Sequence, residues 1–212
     1  MEALTSLFET STDQMSMSFS QDQISQYIEF IGLLQKWNKT YNLTAIRDPK
    51  EMVIKHLLDS LSIAPFINGD HILDVGTGAG LPGIPLAIAN PAKHFTLLDG
   101  NSKKIRFVRQ AVIELGLTNV TAIHSRIEQL PKEGQYSSIT TRAFASLSDM
   151  LIIDTGLFQK NGQLLAMKGD WLKEKQTPPK GYEIANVEQL TVPHIDGARH
   201  LVILKPVTRA DA

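Results

Sequence analysis

Residues 72–83 read Ile-Leu-Asp-Val-Gly-Thr-Gly-Ala-Gly-Leu-Pro-Gly: an apolar run, a glycine-rich turn and a helix start in immediate succession. Gly76, Gly78 and Gly80 let the backbone turn tightly and lie against a ligand with no Cβ in the way, while Pro82 presets the first helical turn. Amides exposed at such a helix start favour an anionic or carboxylate group. Asp99 ends the next apolar run, where a carboxylate can hydrogen-bond both hydroxyls of a ribose. Together these residues make a nucleoside-binding half. A dinucleotide fingerprint places a third small residue three positions after Gly78, whereas this chain has Leu81 there and reads G-x-G-x-G. That spacing, with no second nucleotide half, argues against a nicotinamide-dependent reductase.

The elements that position these residues follow from periodicity. Ser20, with Gln23 three residues on, is an N-cap candidate, and Ile24, Tyr27, Ile28, Ile31, Leu34 and Trp37 follow in three- and four-residue steps, predicting an amphipathic helix of about 18 residues. A second helix is expected from Asp48, with Pro49 in its first turn, carrying Met52, Val53, His56, Leu57, Ser60 and Leu61 on one face until Pro65. From His71 short apolar runs alternate with helical windows, which predicts a parallel α/β sheet. Strands are expected at 72–75, 95–99, 120–124, 138–141, 163–167, 184–192 and 200–205, and helices near 82–89, 102–115, 126–130 and 147–159. The last two strands are separated only by a turn at 193–199 and should pair antiparallel at a sheet edge. Residues 1–68 are read as a helical appendage, 69–206 as the α/β domain and 207–212 as a loose tail.

Composition narrows the chemistry. The 212 residues carry 21 basic and 22 acidic side chains, a net charge of -1, so any polyanion must be met by a local patch. The absence of cysteine excludes disulfide scaffolds, Cys-ligated zinc, iron-sulfur clusters and thiolate nucleophiles. His71, His94, His124 and His200 fall at strand edges without paired ligands, so no metal site is expected. No apolar run approaches a membrane span and the first residues do not read as a signal peptide, which makes the cytoplasm the expected location. No heptad or exposed apolar stripe demands a partner, and a monomer is expected.

The G-x-G-x-G turn preceded by Asp74 resembles the S-adenosylmethionine loop of class I methyltransferases. A closer likeness spans residues 24–205. Residues 37–44 (Trp-Asn-Lys-Thr-Tyr-Asn-Leu-Thr), 56–61 (His-Leu-Leu-Asp-Ser-Leu), 73–85 and 141–145 (Thr-Arg-Ala-Phe-Ala) resemble, in order and spacing, the glucose-inhibited division protein B family. That family consists of bacterial, cytoplasmic methyltransferases that act on guanine N7 of small-subunit (16S) ribosomal RNA. The resemblance implies a class I, Rossmann-like fold with a seven-stranded, mostly parallel sheet and an antiparallel last strand. One departure is Gly100 after Asp99, where a serine is expected, and it bears only on contacts beside the ribose.

The same resemblance implies that Gly76 and Leu81 line the cofactor, Ile127 and Glu128 flank its adenine, and Arg142 closes the site after the fourth strand. Glu128 equally suits a carboxylate at a helix N-terminus. Arg142 lies at the carboxyl end of a central strand, the edge where α/β sheets bind ligands, although a surface arginine is the alternative. Guanine N7 carries a lone pair and no proton, so no general base is expected; Arg142 is a positioning candidate, and rate comes from alignment. Lys103, Lys104, Arg106, Arg109, Arg126, Lys168 and Arg199 suggest a phosphate-binding rim, against the alternative that basic helix faces serve solubility. The near-neutral total favours a shaped, protein-bearing substrate over naked RNA. Trp37, Tyr41 and Phe30 suit either base stacking or core packing, with packing preferred for Trp37. His56 and Asp59, three apart, suggest a catalytic pair or a local cap, and the local reading is preferred. The competing function is a non-enzymatic RNA-binding or assembly factor that keeps the fold.

Overall fold

The computed structural model describes residues 2–142, 147–174 and 177–207; Ala143, Phe144 and Ala145 of the fourth resembling block and residues 208–212 of the expected tail lie outside these. The chain opens with a helix not expected from sequence, α1 (Glu2–Gln14). Its Ser11 and Thr12 hydroxyls donate back to the carbonyls of Leu7 and Phe8, four residues earlier, so residues that ordinarily favour turns are absorbed into the helix. Phe8 is fully buried and meets Tyr27 at 4.7 Å and Phe19 at 5.8 Å between ring centres. Helix α2 (Gln21–Tyr41) starts at the expected cap: Ser20 Oγ accepts from Gln23 N while Gln23 Oε1 accepts from Ser20 N. It ends at Asn42, whose φ of 48° is left-handed. Trp37 packs on Tyr41 and Phe107 and Phe30 is fully buried, so these rings serve the core.

The single helix expected from Asp48 divides into α3 (Pro49–Met52), a π-helical stretch (Val53–Leu58) and α4 (Asp59–Leu61). Asp48 caps it by accepting from Glu51 N at 3.0 Å. The wider π turn shifts the face on which following side chains emerge, and such turns are frequent at functional sites.

Seven strands follow: β1 (His71–Val75), β2 (His94–Asp99), β3 (Val120–His124), β4 (Tyr136–Thr141), β5 (Phe158–Lys168), β6 (Tyr182–Leu190) and β7 (Arg199–Pro206). Their order is β3-β2-β1-β4-β5-β7-β6; the first five pair in parallel and β7 runs antiparallel to both β5 and β6. This is the class I methyltransferase arrangement expected. Helices α5 (Gly83–Ala89) and α6 (Ser102–Glu114) connect β1 to β2 and β2 to β3. Strand pleating sends Ile72, Leu97, Leu165 and Leu201 into one apolar cluster with α1, α2, α5 and α6, and Leu73, Leu98, Leu164 and Val202 into a second on the opposite face.

That second face departs from expectation. No long helix covers 147–159; 3-10 turns at Ser148–Ile152 and Thr155–Leu157 do, and β5 has begun by Phe158. Asp154 is the reason: its Oδ1 accepts from Gly156 N at 2.8 Å, so Asp-Thr-Gly forms a local turn in place of helix. A short helix α7 (Trp171–Glu174) lies between β5 and β6. The segment near 126–130 is likewise a 3-10 turn, Ile127–Gln129.

Candidate functional site

The strand order reverses between β1 and β4, which opens a crevice at their carboxyl ends. Gly76 follows β1 and Arg142 follows β4, and Thr141 Oγ1 ties the two ends by donating to Val75 O at 2.9 Å. The glycine loop is anchored by its own backbone. Gly76 N and Thr77 N both donate to Leu98 O, and Gly83 N and Thr77 Oγ1 both donate to Asp74 Oδ2, at 2.9 and 2.6 Å. Gly80 holds φ at 80°, and a Cβ there would stand 2.5 Å from Ile84 Cδ1. At Gly78 a Cβ would meet only Gly76 O and Lys104 Nζ, both at 3.9 Å, an ordinary contact distance, so this face of the loop is not crowded.

Asp99 ends β2 beside this loop, its Oδ2 accepting from Gly78 N at 2.9 Å and its Oδ1 from Asn101 N at 2.8 Å. Asp74 lies beneath, fully buried, with Oδ1 lacking a hydrogen-bond partner. Burial pushes its carboxyl up to about 7, against the lowering effect of the Thr77 and Gly83 bonds. Leu81 lines the cleft at the mouth of the loop, together with Ala79, Thr77 and Arg142; the cleft measures about 180 Å³. Ile127 is buried in the second apolar cluster and Glu128 is exposed on the 3-10 turn after β3.

The opposite wall comes from the N-terminal region. Leu43, Thr44 and His56 complete the cleft. Asn38, buried in α2, shapes the segment after it: its Oδ1 accepts from Thr44 N at 2.9 Å and its Nδ2 donates to Ile46 O at 3.1 Å. His56 Nδ1 faces Lys55 O, a carbonyl that only accepts, so Nδ1 carries the hydrogen and Nε2 accepts from Thr44 Oγ1 at 2.9 Å. Burial, with the Arg142 cation beside it, lowers this imidazole to about 4 and keeps it neutral.

A second cleft of about 330 Å³ shares His56 and Arg142 with the first and adds Asp59, Lys168, Arg199 and His200. Asp59 Oδ2 accepts from Arg142 Nη1 at 3.3 Å and its Oδ1 from Arg199 Nε at 3.2 Å. Burial raises the Asp59 carboxyl, and the two arginines draw it back down. The preferred local reading of His56 and Asp59 is therefore corrected for Asp59: it pairs with side chains 83 and 140 residues away. The physical reason is the π turn together with β7, which bring Asp59 to the mouths of β4 and β5.

The basic residues fall into two groups. Arg142, Lys168 and Arg199 gather at the second cleft, where Lys168 is 6% exposed and so lines a pocket and not an outer rim. On the other side Lys103 and Lys104 open α6 just after Asp99, with Lys104 Nζ 3.9 Å from where a Gly78 Cβ would stand, and Arg126 lies beside Gly100, whereas Arg106 sits further along α6 near Arg109 and His124. Arg109 donates to Ala122 O and so ties α6 to β3. Sequence reasoning gave no role to Leu43 or Thr44, and the available signal was polar His56 and Asp59 on the buried face of an apolar helix. Among the described residues no cluster of three metal-ligating side chains occurs, and no helix is long and apolar enough to cross a membrane.

Comparison with known proteins bears on this site. A crystal structure of a SAM dependent methyltransferase from Aquifex aeolicus shares the fold, with a TM-score of 0.55 at 16% identity over 74% of this chain and 93% of that one. Ribosomal RNA small subunit methyltransferase G of Klebsiella pneumoniae is 49% identical over 195 residues, 92% of this chain and 94% of that one. The protein of the same name from Idiomarina loihiensis is 47% identical, covering 91% and 94%. Residues 22–202 match the family described as GidB, rRNA small subunit methyltransferase G. With the crevice, the glycine loop and the Asp99 carboxylate in the places such a fold requires, the chain belongs to the rRNA small subunit methyltransferase G family.

Proposed function

We propose that this protein transfers a methyl group from S-adenosylmethionine to N7 of a guanine in 16S ribosomal RNA. The observation that carries the reading is the pair of clefts meeting at His56 and Arg142, one against the glycine loop and one facing outward. Gly76, Gly78, Gly80, Leu81, Asp99, Ile127, Glu128 and Arg142 are the residues that would hold the cofactor. Fit is supported by the uncrowded face at Gly78 and by the unpartnered Oδ1 of buried Asp74 beneath the loop. When bound, S-adenosylmethionine supplies an electrophilic methyl group whose positive charge passes to the purine ring.

No side chain is required to remove a proton, because guanine N7 has none. The protein's part is to hold both reactants in line, an orientation effect worth up to about 10⁵ to 10⁸ M in effective molarity. Arg142 stands where the clefts meet and positions the acceptor, while the neutral imidazole of His56 forms the wall beside it without placing a cation there. Lys103, Lys104 and Arg126 meet backbone phosphates on one side, while Lys168 and Arg199 line the outward cleft on the other. A net charge of -1 favours the small ribosomal subunit or a precursor particle over naked RNA.

In this reading the enzyme is a cytoplasmic monomer that uses no metal and no membrane. Residues 1–68 are its helical appendage and 69–206 its catalytic domain. The built donor side, with Asp74, the loop and Asp99 interlocked, speaks against a non-enzymatic assembly factor. The test is transfer of labelled methyl to small subunits lacking the modification, with the product nucleoside identified by mass. Label recovered as 7-methylguanosine is expected; cofactor binding with no transfer to any RNA or subunit would overturn the reading.

A further inference from the structure

The second cleft holds a polar arrangement that cofactor binding does not explain. Asp59 is its sole carboxylate among the described lining residues, with 12% of its side chain exposed. Arg142 and Arg199 hold it from either side, each oxygen accepting one N–H. A carboxylate offers about four lone-pair sites, so each oxygen keeps one that is not taken by these bonds. The cleft volume of about 330 Å³ sits at the lower end for small-ligand sites, a size suited to one extruded base.

Guanine presents an acceptor, O6, next to two donors, N1–H and the N2 amino group, along one edge. Adenine presents the reverse, a donor amino group next to an unprotonated N1. A guanidinium beside a carboxylate is complementary to the first edge and mismatched to the second. Resting on the guanine reading above, we infer that Asp59 is the residue that selects guanine, its carboxylate accepting N1–H and N2–H while the adjoining Arg142 donates to O6. Adenine there would face the carboxylate with an acceptor and the arginine with a donor, leaving buried polar groups unpaired. Asp59 also lies close to the ring that becomes cationic on N7 methylation, which an anion favours.

The experiment compares subunits carrying guanosine or inosine at the modified position, located beforehand by mass spectrometry. Inosine keeps N7, O6 and N1–H and lacks only the N2 amino group. Wild-type enzyme is expected to methylate the inosine subunit about tenfold less efficiently, the loss of one hydrogen bond to a charged group. For Asp59→Asn and Asp59→Ala the guanosine-to-inosine ratio should fall to near one, and Asp59→Glu should restore part of it. The ratio is taken within each variant, so a smaller folded fraction cancels, and cofactor affinity measured by calorimetry should stay within about threefold of wild type. A tenfold ratio that survives in Asp59→Ala, or a wild type indifferent to inosine, overturns the role of Asp59 while leaving the methyl transfer standing. No transfer to the guanosine subunit by wild type overturns the functional reading itself.

Discussion

The two walls of the site are built by different means. The sheet wall is backbone: amides of Gly76, Thr77, Gly78 and Gly83 held by Leu98 O, Asp99 and Asp74, all within about 25 residues of chain. The helical wall is side chains: Asn38 fixes Thr44, Thr44 fixes His56, and Asp59 reaches across 83 and 140 residues to Arg142 and Arg199. A backbone cradle suits a cofactor that never varies, whereas a side-chain wall can be shaped to one acceptor. On the proposed reading donor binding and acceptor choice are separable in this protein, with Arg142 as the shared post.

The largest expected effects concern pH, and the walls should respond in opposite directions. Asp74 is held well above its ordinary value, at about 7, so the unfolded chain ionises first; the cost to stability is absent near pH 4, grows with rising pH and is complete above about 7, reaching roughly 4 kcal/mol. His56 is held at about 4, so the unfolded chain protonates first as pH falls; its stabilisation is full above about 6.5 and lost toward 4, roughly 3 kcal/mol. In cofactor-free protein unfolded by urea, Asp74→Asn should therefore gain on wild type as pH rises from 4 to 8, and His56→Gln should lose ground over the same range. Parallel stability curves for all three would break the comparison.

A smaller effect is expected at Gly83, where a Cβ would lie 2.1 Å from Leu97 Cδ2 and 2.8 Å from Asp74 Oδ2. Both neighbours are fully buried, so Gly83→Ala should destabilise by about 1–3 kcal/mol and weaken cofactor binding, read by thermal unfolding and calorimetry. On the helical wall, Thr44→Val removes the donor to His56 and the acceptor for Ile46 N, in a half-buried place. The expected loss is about 1 kcal/mol, with methyl transfer slowed and cofactor affinity weakened less than in Gly83→Ala, because Thr44 borders the glycine-loop cleft without holding the loop itself. Equal loss of cofactor affinity in both variants would show that the walls are not separable.

Legibility in the sequence follows the same division. The loop from Asp74 to Gly83, Asp99 and the antiparallel last strand are written in local spacing, because glycine, proline and strand-end carboxylates act on neighbours a few residues away. Over 147–159 apolar periodicity predicts helix, but the Asp154 turn outweighs it. Helix α1 is hidden in the sequence because Ser11 and Thr12 usually oppose helix and here bond back to it. Asp59 could be seen as a charge on an apolar face, yet its partners lie on β7 and at the end of β4, contacts that only tertiary folding specifies. Lys168 read as a rim residue for the same reason: strand position gives the edge of the sheet but not the depth of the pocket.

The most direct measurement sets one residue from each wall side by side: cofactor affinity by calorimetry and single-turnover methyl transfer at saturating cofactor, for Asp99→Ala and Arg199→Ala. Asp99→Ala should weaken cofactor binding about 10- to 100-fold, the loss of charge-assisted hydrogen bonds. Arg199→Ala should bind cofactor as wild type does and transfer methyl to the small subunit at least about tenfold more slowly. Loss of cofactor affinity in Arg199→Ala, or unimpaired binding in Asp99→Ala, would contradict the assignment of donor and acceptor to separate walls.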